Sequence, residues 1–213
     1  MKITDIKQAV KNENRVNIFI DGHYAFSLDI AQLVDYKLKI GMDLTDGELE
    51  KYKQLSAFGK VYQRALEWVL MRPRSTSELK DYLVRARSKA KLKDQTAPVL
   101  SDEENAEIIC RLQTKHYVDD AEFAKYYVEN RFFKKGISTK RLKMELMKKG
   151  IASSIIDEVL SQNVRNDEDE IKKIIDKKRN RYDDEKLINY LVRQGFPFEL
   201  VRNLVQQYGH GTD

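Results

Sequence analysis

Two stretches of this chain carry the same pattern 45 positions apart, and this repetition limits the possible folds more than any other feature. One holds Leu142, Leu146, Gly150, Ile151, Ile155, Ile156, Val159 and Leu160. The other holds Leu187, Leu191, Gly195, Phe196, Leu200, Val201, Leu204 and Val205, with every apolar anchor and the glycine in register. Apolar residues every three or four positions give a helix one buried face, and a glycine between two such runs marks a turn. A helix–Gly–helix unit recurring at a fixed offset signals a repeat architecture, in which units bury their apolar faces against their neighbours. Repeat proteins tend to work through extended surfaces rather than a single catalytic pocket. A further copy enters at an offset of 63, where Ser75, Thr76, Leu79 and Leu83 match Ser138, Thr139, Leu142 and Leu146. In that copy the polar stretch 88–99, with Pro98, stands in place of the glycine turn and predicts a mobile loop.

The first 28 residues have a different period. Val16–Ile20 and Tyr24–Leu28 alternate apolar and polar residues around Asp21–Gly22, the pattern of a tight hairpin, and Ile3 to Val10 adds a candidate third strand. From about residue 29 the period becomes helical. Asp29 is a candidate cap for a short helix with Ile30, Leu33 and Val34. Thr45–Glu48, Ser75–Glu78, Ser101–Glu104 and Asp119–Glu122 have the spacing of capping boxes. The helix after Thr45 is expected to bury Leu49, Tyr52, Leu55, Val61, Ala65, Leu66, Val69 and Leu70, to be broken at Gly59, and to stop before Pro73. The expected fold is mainly α: three tandem three-helix repeats, elongated and curved, behind a small β-hairpin element. The expected divisions are 1–45 for the hairpin extension with its short helix, then 46–100, 101–162 and 163–213 for the repeats.

Charge narrows the function. Of 213 residues 34% are charged, 41% are hydrophobic, and the net charge is +5, which favours an acidic partner. The cations cluster. Residues 72–93 hold eight against two acids, 131–149 eight against one, and 172–181 six against one. One basic cluster per repeat suits a phosphate backbone or a regular polymer, although a single charged helix face is also what a merely solvated face looks like. Lys140, Arg141, Lys148 and Lys149 form two pairs about two turns apart, so they can share one side of a helix and its exit turn. Tyr126, Tyr127, Phe132 and Phe133 lie beside them and suit either base stacking or a core.

Catalytic chemistry has little support. His23, His116 and His210 are scattered without metal-ligand spacing, and Asp119 with Asp120 reads as a helix cap. With no GxGxxG and no P-loop, no cofactor, metal or nucleotide site is expected. Cys110 sits in an apolar-periodic stretch and reads as a core residue; a lone cysteine fits a reducing compartment. No apolar run approaches the roughly 20 residues that span a bilayer, and the N-terminus lacks a signal peptide's apolar region. The expectation is a cytoplasmic monomer with no membrane contact.

The motif order Arg72-Pro73-Arg74-Ser75 with Glu78, Leu79 and Leu83, then Tyr117-Val118-Asp119-Asp120 with Phe123-Ala124, then Arg131, Lys135-Gly136, Leu142, Leu146 and Gly150-Ile151, then Gly195-Phe196, resembles the RecX family of bacterial regulators of the RecA recombinase. The resemblance covers about residues 60–207, with 1–45 similar to the extension of longer members. It implies a non-enzymatic protein that lies in the groove of the RecA nucleoprotein filament. There it restrains recombinase, ATPase and coprotease activity in DNA repair and the SOS response. Single- or double-stranded DNA is a further candidate partner. The residues expected to face filament or DNA are Arg72, Arg74, Arg85, Arg87, Arg131, Lys134, Lys135, Lys140, Arg141, Lys143, Lys148, Lys149, Lys172, Lys173, Lys177 and Lys178. A direct DNA-binding helix-turn-helix module and a helical protein-interaction scaffold are the alternatives.

Overall fold

Strands β1 (Ile3–Ala9), β2 (Asn12–Ile20) and β3 (His23–Asp29) pair antiparallel in the order β1-β2-β3, with the tight turn at Asp21–Gly22 that the Asp-Gly pair predicts. The computed structural model describes residues 1–10, 12–93, 98–162 and 165–209, and contacts divide the chain into two compact units. The first unit is 1–72 with 79–117; the second is 73–78 with 118–213.

In the first unit, alternation along the strands turns Val16, Ile18, Ile20, Phe26 and Leu28 inward, where they meet Leu38, Leu44 and Tyr52. Of the apolar residues on the short helix α1 (Ile30–Asp35), Leu33 packs on this core, while Ile30 and Val34 are exposed. The sheet is covered instead by α2 (Asp46–Leu70), which opens with a reciprocal capping box between Thr45 and Glu48.

The expected break at Gly59 does not occur, because the missing side chain serves a different purpose. A Cβ there would come within 2.6 Å of the Arg15 guanidinium. Arg15 is a buried cation on β2. It donates to the Ser27 carbonyl at 2.7 Å, the Ser27 hydroxyl at 3.1 Å and Asp29 at 3.2 Å. The Ser27 N–H in turn donates to Ser56 Oγ on α2. The helix therefore gives up a side chain to seat the arginine, and the Ser27–Ser56 bond ties sheet to helix beside it. Its last turn also differs from the expected stripe, since Leu70 is 62% exposed.

Helix α3 (Thr76–Lys93) corrects the predicted loop at 88–99: residues 88–93 continue the helix, and residues 94–97 lie outside the described residues. Alanines and lysines are good helix formers, and no breaker occurs before Pro98. Helix α4 (Asp102–Thr114) has the Ser101–Glu104 capping box. It buries Ile108 and Leu112, one turn apart, so Cys110 between them points outward and is exposed rather than core.

The second unit holds α5 (Asp120–Asn130), α6 (Thr139–Lys148) and α7 (Ser153–Gln162) around one core of Phe123, Val128, Leu142, Leu146 and Ile156. Helices α8 (Asp167–Lys178), α9 (Asp184–Arg193) and α10 (Phe198–Gly209) surround another, built on Ile171, Ile175, Leu187, Leu191 and Val201.

The same joint is built twice here. Ser138 Oγ accepts the Arg141 N–H, capping α6, and donates to the Gln194 carbonyl at 2.7 Å. The next residue, Thr139, donates N–H and hydroxyl to Asp167, the first residue of α8. Sixty-three positions earlier, Ser75 Oγ accepts the Glu78 N–H and donates to the Lys149 carbonyl at 3.0 Å, while the Thr76 N–H donates to Asp120, the first residue of α5. Asp183 and Asp184 stand at the positions equivalent to Ser138 and Thr139 one repeat later. Asp183 takes Lys186 N–H and Nζ, and Asp184 takes Arg179.

Ser138→Ala removes a helix cap and leaves the Gln194 carbonyl without its donor. A loss of about 2 kcal/mol is expected in urea denaturation followed by circular dichroism.

Candidate functional site

The turn after α5 starts the site. Phe132 has φ 48, a left-handed backbone unusual for a bulky side chain. It is held because its carbonyl accepts the Lys135 and Gly136 N–H groups and because the Arg131 guanidinium lies 3.8 Å from its ring centroid. Gly136 follows at φ 83, and a Cβ there would lie 2.6 Å from the Glu170 carbonyl oxygen and 2.7 Å from Ile174. Only glycine lets this turn press so closely on α8.

Two carboxylates fix the surrounding cations. Glu145 on α6 accepts from Arg131 at 2.6 and 3.2 Å, from the Tyr127 hydroxyl at 2.7 Å and from Arg141 at 3.2 Å. Burial by itself raises the Glu145 pKa, but hydrogen bonds from Arg131, Tyr127 and Arg141 reverse that and bring it to about 2. Burial, then the carboxylate it donates to, pushes the Tyr127 phenol up to about 12. The far end of Arg141 reaches the Gln194 side chain. Glu170, at the start of α8, is 2% exposed and accepts from Arg165, from Lys173 and from the Ile137 N–H. Burial acts to raise its pKa, and these donors hold it below the usual carboxylate value. Arg165 also donates to the Val128 and Arg131 carbonyls at the end of α5, so one buried ion pair ties α5 to α8.

Between these anchors a cleft of about 580 Å³ opens, lined by Phe132, Lys135, Gly136, Arg141, Ile174, Lys177, Lys178, Arg181, Tyr190 and Gln194. It has five cations and no carboxylate. Lys178 Nζ lies 4.4 Å from the Tyr190 ring centroid and 4.8 Å from that of Tyr182. Lys135, Lys177, Lys178 and Arg181 have no carboxylate partner among the described residues. Outside the cleft, Lys172, Lys173 and Arg179 are each ion-paired, as are Arg131, Lys143 and Lys149.

The residues expected from sequence to act together thus divide. Lys135, Arg141, Lys177 and Lys178 converge on the cleft. Lys134, Lys140 and Lys148 are exposed on the surface of the same unit. Arg131, Lys143, Lys149, Lys172 and Lys173 hold structural ion pairs, Lys149 with Glu78 at 2.7 Å. In the first unit, Arg87 pairs with Asp102, Arg85 bonds the Asp81 carbonyl, and Arg72 is half-buried; Arg74, also half-buried, belongs to the second unit. Arg181, Tyr190 and Gln194 line the cleft although they were absent from the expected set, because the approach of α8 and α9 to α6 has no local sequence signal.

Asp119 caps α5 by accepting from Ala121 and Glu122 N–H groups, as its pattern predicts. His116 follows the C-terminus of α4, and His210 lies outside the described residues. No group of three or more His, Cys, Asp or Glu side chains among the described residues is placed to hold a metal, and no described helix is long and apolar enough to cross a membrane.

Paired three-helix cores joined through a repeated serine, with a basic cleft and an N-terminal sheet, define a helical-repeat protein. Residues 1–45 match the regulatory protein RecX N-terminal domain, and residues 119–160 match the second three-helix domain of RecX. The regulatory protein RecX of Bacillus pumilus is 33% identical over 99% of this chain and 79% of its own length. That of Listeria monocytogenes serotype 4a is 30% identical over 95% and 74%. A crystal structure of regulatory protein RecX superposes with a TM-score of 0.66 at 25% identity, covering 97% of this chain and 98% of the other. RecX from Lactobacillus salivarius shares the fold, with a TM-score of 0.54 over 72% of this chain and 97% of its own. The chain belongs to the RecX family of regulatory proteins.

The folded-state pKa of Glu145 lies below the ordinary 4.5, so its stabilisation is complete above that value and fades as pH falls towards 2. The contribution at neutral pH is about 3 kcal/mol. Stability measured by urea denaturation between pH 6 and pH 3 should fall less steeply in Glu145→Gln than in the parent, the variant starting from a lower value.

Proposed function

We propose that this protein regulates the RecA recombinase in DNA repair by binding its nucleoprotein filament through the basic surface of the second unit. The family supports the partner, and the observation that carries the surface is the set of cations that have no carboxylate partner there among the described residues: Lys134, Lys140 and Lys148 on the outside, and Lys135, Lys177, Lys178 and Arg181 in the cleft. Such unneutralised charge attracts a polyanion and speeds its capture. A body of tandem helical units can span neighbouring protomers of a filament. That contact obstructs filament growth or the movement linking ATP hydrolysis to strand exchange, so the effect is inhibition. The part played by the protein is recognition, with no chemical step of its own.

The test is RecA's DNA-dependent ATP hydrolysis with this protein titrated in at fixed salt. Inhibition at substoichiometric amounts is expected, and none at stoichiometric excess would remove the proposal. Reversing Lys134, Lys140 and Lys148 to Glu should weaken inhibition by about tenfold or more with an unchanged helical spectrum. These three are better probes than Arg141 and Lys149, whose bonds to Glu145 and Glu78 also hold the fold.

A further inference from the structure

We infer that the equivalent helices α3, α6 and α9 each carry one contact point for an acidic protein surface. The point is an exposed aliphatic side chain followed directly by an exposed cation: Val84 with Arg85, Met147 with Lys148, and Val192 with Arg193. Each pair fits an apolar recess with a carboxylate at its rim, a feature that a polymer of identical subunits offers once per subunit. The inference rests on the filament reading above and deepens it by naming the side chains that dock.

Recurrence gives the first argument. The three helices align on buried leucines: Leu79 and Leu83 of α3, Leu142 and Leu146 of α6, and Leu187 and Leu191 of α9, at offsets of 63 and 45 positions. The residue after the second leucine points outward in each case. Val84 is 50% exposed, Met147 52% and Val192 37%. An exposed cation follows each of them, and none of the three has a carboxylate partner among the described residues. The rest of the outward face does not recur. Met144, 51% exposed, has Asp81 and Asn189 as its equivalents, and Lys140 has Ser77 and Glu185. Single exposed apolar residues are ordinary and need no explanation. The same one in three repeats, beside positions that change from polar to charged, does need one.

The fold does not explain the pair. Valine is a poor helix former, and a half-exposed one regains little of that loss by burial. A cation in the last turn of a helix is favoured by the helix dipole, which accounts for Lys148 and Arg193, the last residues of α6 and α9. It does not account for Arg85, which stands about two turns before the end of α3 at Lys93. Two of the pairs are also held still, because the carbonyl of the next residue, Lys149 or Gln194, accepts from Ser75 or Ser138. A contact point fixed in advance loses little entropy on binding. Side-chain chemistry then selects the partner. The cations call for carboxylates. An aliphatic chain has no ring face on which a base can stack, so the apolar half is wasted on a nucleic acid. One half-exposed aliphatic group per repeat is too little apolar area to hold a bilayer surface. A protein surface with an apolar recess and an acidic rim uses both halves.

The experiment uses the full chain, carrying a fluorophore on its exposed Cys110, and reads anisotropy as RecA filaments assembled on single-stranded DNA are titrated in. Bare DNA is titrated separately. Val84→Gln, Met147→Gln and Val192→Gln should each weaken filament binding by about fivefold and to a similar extent. The triple variant should lose about a hundredfold, since separate contacts multiply. Bare-DNA binding and the helical spectrum should stay as in the parent. Arg85→Gln with Lys148→Gln and Arg193→Gln should weaken filament binding and flatten its salt dependence. Met144→Gln, at an equally exposed position that does not recur, should keep the parental affinity. A parent that ignores filaments overturns this inference and the filament reading together. A parent that binds, with a triple variant that binds equally well, overturns the pairs alone and leaves the filament reading standing. Loss confined to one single variant, or matched by Met144→Gln, overturns the repeated contact in favour of one local patch. An equal loss on bare DNA overturns the protein assignment, and so does binding to anionic vesicles that the triple variant lacks.

Discussion

A single serine hydroxyl, used in both directions, is the interaction on which the second unit depends. Ser138 Oγ accepts at the start of α6 and donates at the end of α9, and Ser75 does the same between the first turn of α3 and the end of α6. Helix ends leave orphan groups of opposite kinds, donors at the start and acceptors at the finish. A hydroxyl is the smallest side chain that can serve one of each, so each joint closes two helix ends with one buried oxygen. Both serines are fully buried, and the carbonyls they serve, on Lys149 and Gln194, precede the glycine of each repeat. The threonine that follows each serine meets the leading aspartate of a helix two further along, Asp120 of α5 and Asp167 of α8, which adds a second contact to each joint.

Electrostatics then sorts the basic side chains. Glu145 collects Arg131 and Arg141, and Glu170 collects Arg165 and Lys173. Buried ion pairs are a poor route to net stability but a good one to geometry, because removing one partner strands the other. Here the result is positional. The turn holding Phe132 and Gly136 is clamped, α8 is set beside it, and the remaining cations stand around an open space.

Much of the fold was legible because its signals are local. Capping boxes, the Asp-Gly hairpin and apolar positions three and four apart report on residues within one turn of each other, and the periodic match from Leu142 to Leu187 exposed the repeat. Errors arose where distance mattered. Gly59 looks like a helix break until Arg15, 44 positions away in sequence, is seen filling the space. Residues 88–93 look loop-like by polarity, though nothing in them breaks a helix. The basic clusters were visible, but which cations are neutralised depends on carboxylates such as Glu78, 71 residues from its partner Lys149. Arg181 and Tyr190 entered the cleft through helix packing that no spacing rule encodes.

The aspartates at 183 and 184 give the array a polarity. An ionised carboxylate accepts hydrogen bonds and cannot donate one. Where Ser75 and Ser138 offer a proton to a carbonyl, Asp183 offers only negative charge, already satisfied by Lys186. A further helical unit presenting its own carbonyl and leading aspartate would meet repulsion at both points. The exchange of a hydroxyl for a carboxylate therefore changes what this position can hold: it has charge to offer a cation and no proton to offer a neighbouring carbonyl.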